Sequence, residues 1–329
     1  MLRWTRAPGC LACARPLVMS PHLRERELWR PSSFWPQLII LRSEQTGDHP
    51  IRPLLVVDGD SFAHRAYHGL PKSIRRSGNR GAGAIVGFAN FLLRLYETER
   101  PRAVLVAWDT LDVPTYRHRA FASYQSGRQF DPELRDQLDA LPHFVAACGF
   151  VFAKSPGYEA DDFLAAAVAE EERSGGTAIV ATGDRDAFQL ASQWTTILQP
   201  VRAGEIARIG PNEVRERYGV EPDQVPDFIA LRGDPSDKLP GAPGVGPKGA
   251  AALLRRYGTL EALLAQGRFK EQADELRLYR RIATMDRSAP LPSLRDQTPT
   301  WAKASTPAKK WELNRLAERL HTLAHPEPG

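Results

Sequence analysis

Nine acidic residues recur in short clusters along the chain: Asp58; Asp109; Glu159, Asp161 and Asp162; Asp184 and Asp186; Asp234 and Asp237. So many carboxylates cannot share one site unless cations neutralise them, because like charges in low dielectric repel strongly. An all-oxygen donor set suits Mg²⁺ or Mn²⁺. Two or more such ions held side by side are a device for hydrolysing phosphodiesters. That chemistry needs no Ser, Cys or His nucleophile. The histidines near the clusters, His64, His68 and His118, read as surface or packing residues.

Elements must bring these acids together. Residues 54–57 form a short apolar run that ends at Asp58-Gly59-Asp60, as a buried parallel strand followed by a turn does. Residues 103–108 and 178–182 repeat the pattern, ending at Asp109 and at Gly183-Asp184. Between them, residues 84–96 place Ile85, Phe88, Leu92 and Leu95 on one helical face. Strands alternating with helices imply a parallel α/β sheet, whose ligands bind beyond the carboxyl ends of the strands. Three strands here deliver an Asp to that edge.

Glu159 and Asp162 are three residues apart and share a helix face, whereas Asp161 points away in an ideal helix. Asp161 joins the others only if the segment begins in a turn. The plainer alternative is acids favouring a helix N-terminus. For Asp184 and Asp186 it is a simple turn.

From 111 to 145 the chain is polar, with Tyr116, Arg117, His118, Arg119, Tyr124 and Arg128 mixing aromatic and basic types. The stretch is long for a connection and suits contact with single-stranded nucleic acid, or else an ordinary surface helix pair. After about residue 206 the character changes, with helix starts at 211–218 and 225–232. Gly241-Ala-Pro-Gly244-Val-Gly246-Pro-Lys248 then opens another helix. Its backbone N–H groups and Lys248 can hold a phosphate. One basic amphipathic stretch, Lys309 to Leu323, is expected to pack back on the body.

The 329 residues carry a net charge of +5 despite the acid clusters, so the positive charge lies elsewhere and suits a polyanionic partner. Three cysteines make no disulfide framework, and Cys10-x-x-Cys13 stands alone, without the second pair of a zinc site. No apolar run approaches the roughly 20 residues that span a membrane. The expectation is a soluble, cytoplasmic, nucleoid-associated monomer of one large domain or two modest ones, with residues 1–49 a disordered extension.

The ordered motifs VVDGDSFAHRAYHGL, VAWDT, VPTYRHRAFASYQSGR, GYEADD, TGDRDAFQL and GDPSDKLPGAPGVGPKGAAALL resemble the bacterial 5′-3′ exonuclease family, over about residues 53–265. The family includes the N-terminal nuclease domain of DNA polymerase I and, more distantly, the flap endonucleases. The resemblance implies an α/β fold: a PIN-like parallel sheet flanked by helices over 50–205, with an arch at 111–145. A helical helix-three-turn-helix (helix-hairpin-helix) DNA-binding region follows over 206–298, then a basic helical tail over 299–329.

It also implies two-metal hydrolysis of DNA, or of RNA in RNA–DNA hybrids, at a 5′ single-stranded end or 5′ flap, leaving a 5′ phosphate. Asp58, Asp109, Glu159 and Asp161 match one metal site. Asp161, Asp184, Asp186 and Asp234 match the second, with Asp162 and Asp237 as outer carboxylates. Arg65, Arg117 and Arg128 match basic residues near the scissile phosphate, and Tyr124 and Gln125 lie in the arch. Gly244, Gly246 and Lys248 match the duplex-holding loop, which binds K⁺ in that family.

Two positions depart from the pattern: Gln125 stands where the family's arch carries Lys, and Lys238 where it carries Asn. Two rival readings follow. Asp58-Gly59-Asp60 resembles the Asp-x-Asp of HAD-type phosphatases, which would not need the 241–254 hairpin. A DNA-junction binder with decayed catalysis draws support from Gln125 alone.

Overall fold

The computed structural model describes residues 52–127, 129–201 and 205–325. The expected extension over 1–49 lies outside the described residues, as does Arg128. The chain runs β1 (Leu54–Asp58), α1 (Gly59–Gly69), β2 (Arg75–Arg76), β3 (Arg80–Gly81), α2 (Gly83–Glu99), β4 (Ala103–Ala107), α3 (Tyr116–Ala120), α4 (Pro132–Ala147), β5 (Val151–Ala153), α5 (Ala160–Arg173) and β6 (Ala178–Ala181). It continues through β7 (Thr195–Pro200), β8 (Ile206–Ile209), α6 (Pro211–Tyr218), α7 (Val225–Arg232), α8 (Pro247–Tyr257), α9 (Leu260–Ala265), α10 (Ala273–Ala283), α11 (Trp301–Lys310) and α12 (Asn314–Ala324).

Six strands form one sheet in the order β5-β4-β1-β6-β7-β8. All neighbours are parallel except β7 and β8, which pair antiparallel. The central strands read as unbroken apolar runs because both faces are covered. Leu54 and Val56 point to one face with Leu105 and Val180. Leu55 and Val57 point to the other with Val104 and Val106. Residues of α5 and of α7 to α10 fill the first face, and residues of α1, α2, α4, α11 and α12 the second.

Three boundaries differ from expectation. β8 completes the sheet beyond residue 205, so the nuclease unit runs past the expected boundary. Part of the segment expected as an arch over 111–145 belongs to the core, because Pro132–Ala147 is a helix whose Leu138, Leu141, Phe144 and Val145 are buried. The tail is two helices rather than one: the chain leaves the helix at Trp311 and passes through Glu312 at φ 60°. It does pack back, with Ala304, Ala308, Leu316 and Leu320 joining the second core.

A carboxylate-lined cleft as the candidate active site

The carboxyl ends of the parallel strands face one cleft. Asp58 is the last residue of β1, Asp109 follows β4, and Asp184 follows β6. The start of α5 brings Glu159 and Asp161, and the turn after α7 brings Asp234. These residues, with Asp60 and Asp186, line a cavity of about 1270 Å³. Its buried lining is acidic, with Asp58, Asp60, Glu159 and Asp234 each under a tenth exposed. Its exposed lining adds cations: Arg185, Arg217, Lys248 and Arg255.

Local hydrogen bonds aim the acids. Asp58 caps α1, accepting from Ser61 N (2.9 Å) and from Thr182 Oγ1 (2.7 Å). Asp109 Oδ1 accepts from Ala160 N (2.7 Å), the first helical residue of α5. Asp184 Oδ1 accepts from Asp186 N (2.8 Å), and Asp234 Oδ1 from Ser236 N (2.8 Å). Gly233 and Gly241 make the Asp234 turn possible. Both have positive φ (78° and 77°), and a Cβ on Gly241 would lie 2.4 Å from Gly233 N.

The electrostatics oppose ionisation. Burial pushes Asp58 up to about 7, with Asp109 and Asp184 adding repulsion against its two hydrogen bonds. Burial likewise raises Asp60, Asp161 and Asp186, each helped by neighbouring carboxylates. Asp237 is raised to about 6, again chiefly by burial. Asp234 is the exception: burial pushes it up, but Ser236 and Arg232 outweigh that and hold it low. Asp184 repels Asp58, Asp161, Asp186 and Asp237. Asp161 in turn is repelled by Asp184, Asp58 and Asp109, so both residues lie between the two acid groups.

Among the described residues, no three acidic or imidazole side chains sit close enough to enclose an ion as they stand. The donor set still has hard-cation chemistry: oxygen only, desolvated and mutually repelling. A divalent cation among these residues would relieve both penalties.

Several predicted site residues are placed differently. Asp162 is fully buried and takes both Arg117 Nη1 (2.8 Å) and Nη2 (2.7 Å). Its oxygens also accept from Glu159 N (3.0 Å) and Asp286 N (2.9 Å), so it does not line the cleft. Glu159 is not helical (φ −108°, ψ 163°) but the residue before α5, and Asp162 reaches back to cap it. The segment therefore enters through a turn, the condition under which Asp161 joins the others: Asp161 lines the cleft and Asp162 does not. Arg117 is 3% exposed and committed to Asp162, to Glu159 (3.3 Å) and to Ile282 O (2.8 Å). It is no phosphate contact in this arrangement.

Arg65 donates to Val201 O (2.9 Å) and does not line the cleft. Tyr124 is buried and donates to Glu159 Oε2 (2.9 Å), so it offers no stacking face to a strand. Gln125 Nε2 bonds Asp237 Oδ1 (2.9 Å) and Tyr124 OH (2.9 Å). Gly246 precedes α8, Gly244 has φ 72°, and Lys248 is exposed on the cleft in the first turn of that helix.

Sequence reasoning missed Asp60 as part of this cluster. It lies in the first turn of α1, and its Oδ2 accepts from Asp109 N at 2.6 Å. The signal was present: an acid two residues past a strand-end Asp. It was read only as half of an Asp-x-Asp pair, whose second acid would have to be available as a proton donor to a leaving group.

The N-terminal resolvase-like domain of the 5′-3′ exonuclease family matches residues 53–219, and the family's C-terminal SAM fold matches 220–305. The chain belongs to the 5′-3′ exonuclease family. DNA polymerase I of Mycobacterium tuberculosis is 38% identical over 230 residues, covering 69% of this chain and 25% of the polymerase. DNA polymerase I of Deinococcus radiodurans is 40% identical over 233 residues, covering 70% of this chain and 24% of the polymerase. The chain thus spans about a quarter of the length of these curated relatives.

Among solved structures, the bacteriophage T5 5′-exonuclease with bound zinc has a TM-score of 0.58 at 17% identity, covering 83% of this chain and all of that one. The Rad2 catalytic core in complex with DNA substrate has a TM-score of 0.54 at 14% identity, covering 82% and 92%. At these identities the likeness is one of fold. Among the described residues no helix is long and apolar enough to cross a membrane.

Proposed function

We propose that this chain hydrolyses DNA phosphodiesters from a 5′ end or at a 5′ flap, with RNA–DNA hybrids as a second substrate class, and that it works as a monomer. The observation that carries this is the cleft itself, in which a buried acidic lining meets exposed cations. A phosphodiester backbone fits the cations. The acids exclude it unless divalent ions intervene.

Mg²⁺ or Mn²⁺ would supply an activated water and stabilisation of the leaving 3′ oxygen. Asp58, Asp109, Glu159 and Asp161 would hold one ion, and Asp161, Asp184, Asp186 and Asp234 the other, with Asp237 outside them. Thr182, Ser61 and Ala160 orient the carboxylates through the bonds described above. Duplex would rest on the 241–249 loop, where Lys248 and the start of α8 would hold phosphate and a K⁺ ion would add positive charge. Membership of the family supports the reaction class.

The test is a 5′-labelled flap duplex, compared with single strand and blunt duplex, in Mg²⁺, Mn²⁺ or chelator. Cutting near the flap junction in Mg²⁺ or Mn²⁺, abolished by chelation, is expected. Cutting that persists in excess chelator would sink the metal-dependent reading.

A further inference from the structure

Asp60 is the buried acid of the cleft that the proposed metal groups do not use. We propose that it is a positioning residue, holding Asp109 and, through Asp109, the start of α5. The inference rests on the nuclease reading above and adds a residue to it.

The register explains why an anchor is needed. Pairing between β1 and β4 stops at Asp58 opposite Ala107, so the sheet ladder does not reach the Asp109 peptide. Trp108 N is taken by Ala153 O (2.9 Å), the last residue of β5. Asp109 N has no strand beside it, and Asp60 Oδ2 accepts from it at 2.6 Å. Asp109 Oδ1 then accepts from Ala160 N at 2.7 Å. Two hydrogen bonds in series thus tie α1 to the segment after β4, and that segment to the N-terminus of α5. These pieces carry Asp58, Asp109, Glu159 and Asp161.

Packing fixes the same corner. Gly59 lies against the Trp108 ring, where a Cβ would come within 2.6 Å of ring carbon. The residues on either side of that glycine, Asp58 and Asp60, are therefore set against the residue that precedes Asp109. Asp60 is only 9% exposed. A carboxylate in that place, beside Asp58 and Asp109, is electrostatically costly. What it supplies in return is a short acceptor for the Asp109 N–H, a role that a neutral side-chain oxygen in the same place can also fill. Outer groups that orient ligands in this way are typically worth about 10–100-fold in metal affinity or activity.

Asparagine separates geometry from charge, because its side-chain oxygen can accept the same N–H. The full chain is compared as wild type, Asp60→Asn, Asp60→Ala and Asp58→Asn. Four quantities are measured: Mn²⁺ binding by electron paramagnetic resonance, single-turnover flap cleavage in Mg²⁺, flap affinity in Ca²⁺, and thermal unfolding. Asp60→Asn should keep Mn²⁺ affinity and rate close to wild type and melt at least as high. Asp60→Ala should lose about 10–100-fold in both, with flap affinity unchanged. If the alanine variant does not fold, Asp60→Ser takes its place, since its side chain is too short to reach Asp109 N.

If Asp60→Asn falls as far as Asp60→Ala or as Asp58→Asn, the charge matters rather than the hydrogen bond, and the positioning role is overturned. Wild-type behaviour of Asp60→Ala overturns it as well. A folded wild-type chain that neither binds Mn²⁺ nor cuts overturns the nuclease reading and this inference with it.

Discussion

Gln125 illustrates how a single side chain joins distant segments. Its amide donates to Asp237 and to Tyr124 OH, and its backbone sits at φ 44°, which non-glycine residues rarely adopt. Lys238, next to Asp237, donates to Ser126 Oγ (2.9 Å), next to Gln125. A cation therefore already stands beside this turn, on the facing loop. Gln125→Lys would place a second one at the mouth of the cleft, next to Asp237. The single-turnover cleavage rate should rise several-fold, short of the roughly 10²–10³ that loss of a dedicated donor costs, because Lys238 covers part of the need. Flap affinity should change little, since the gain appears mainly in the transition state. An unchanged or lower rate would show that Lys238 meets the need in full. At this scale the acid types and strand-end positions were legible in the sequence. The facing of Asp161 was legible only as a condition on a turn at Glu159, and that Asp162 turns inward to Arg117 was not legible, because its partner lies far away in sequence.

At the scale of elements, the three central strands and α2 were legible because each is a continuous apolar run or a clear 3.6-residue stripe. The edge strands β5 and β8, and β7 beside β8, were not. β5 is three residues long with Phe152 exposed, and β8 carries Arg208, so neither shows a clean period. Arg117 was misread for a related reason: an arginine in a polar stretch looks solvated until its partners, far away in sequence, are known. Those partners come from α5 and from the end of α10, so the Arg117–Asp162 pair pins α3 to both. Removing one member of a buried ion pair leaves the other uncompensated, commonly at about 3–5 kcal/mol. Arg117→Ala should lower unfolding free energy in urea by about that amount. It should also loosen Glu159, whose backbone N–H and carboxylate both meet this pair. A loss under about 1 kcal/mol would mean that solvent reaches Asp162 and that the pair is no strut.

At the scale of the whole molecule, a chain of net charge +5 places eight carboxylates along one cleft and sets cations around them. That separation has a thermodynamic consequence. Asp58 at about 7 and Asp237 at about 6 both hold their protons more tightly in the folded chain than the roughly 3.9 of an unfolded Asp. Groups raised in this way contribute stability that is fully present below the unfolded value and lost as pH climbs through the folded one. In chelator, the melting temperature should therefore rise as pH is lowered from about 8 to about 5.5, the window set by those two groups. Divalent ions bind the ionised form, so added Mg²⁺ or Mn²⁺ should raise the melting temperature strongly at the upper end of that window and weakly at the lower end. Scanning calorimetry across the window, with and without metal, reads both slopes. A melting temperature that falls on acidification in chelator would mean that the acid pocket is well solvated in the folded chain. A metal effect independent of pH would mean that the ions bind elsewhere than among these carboxylates.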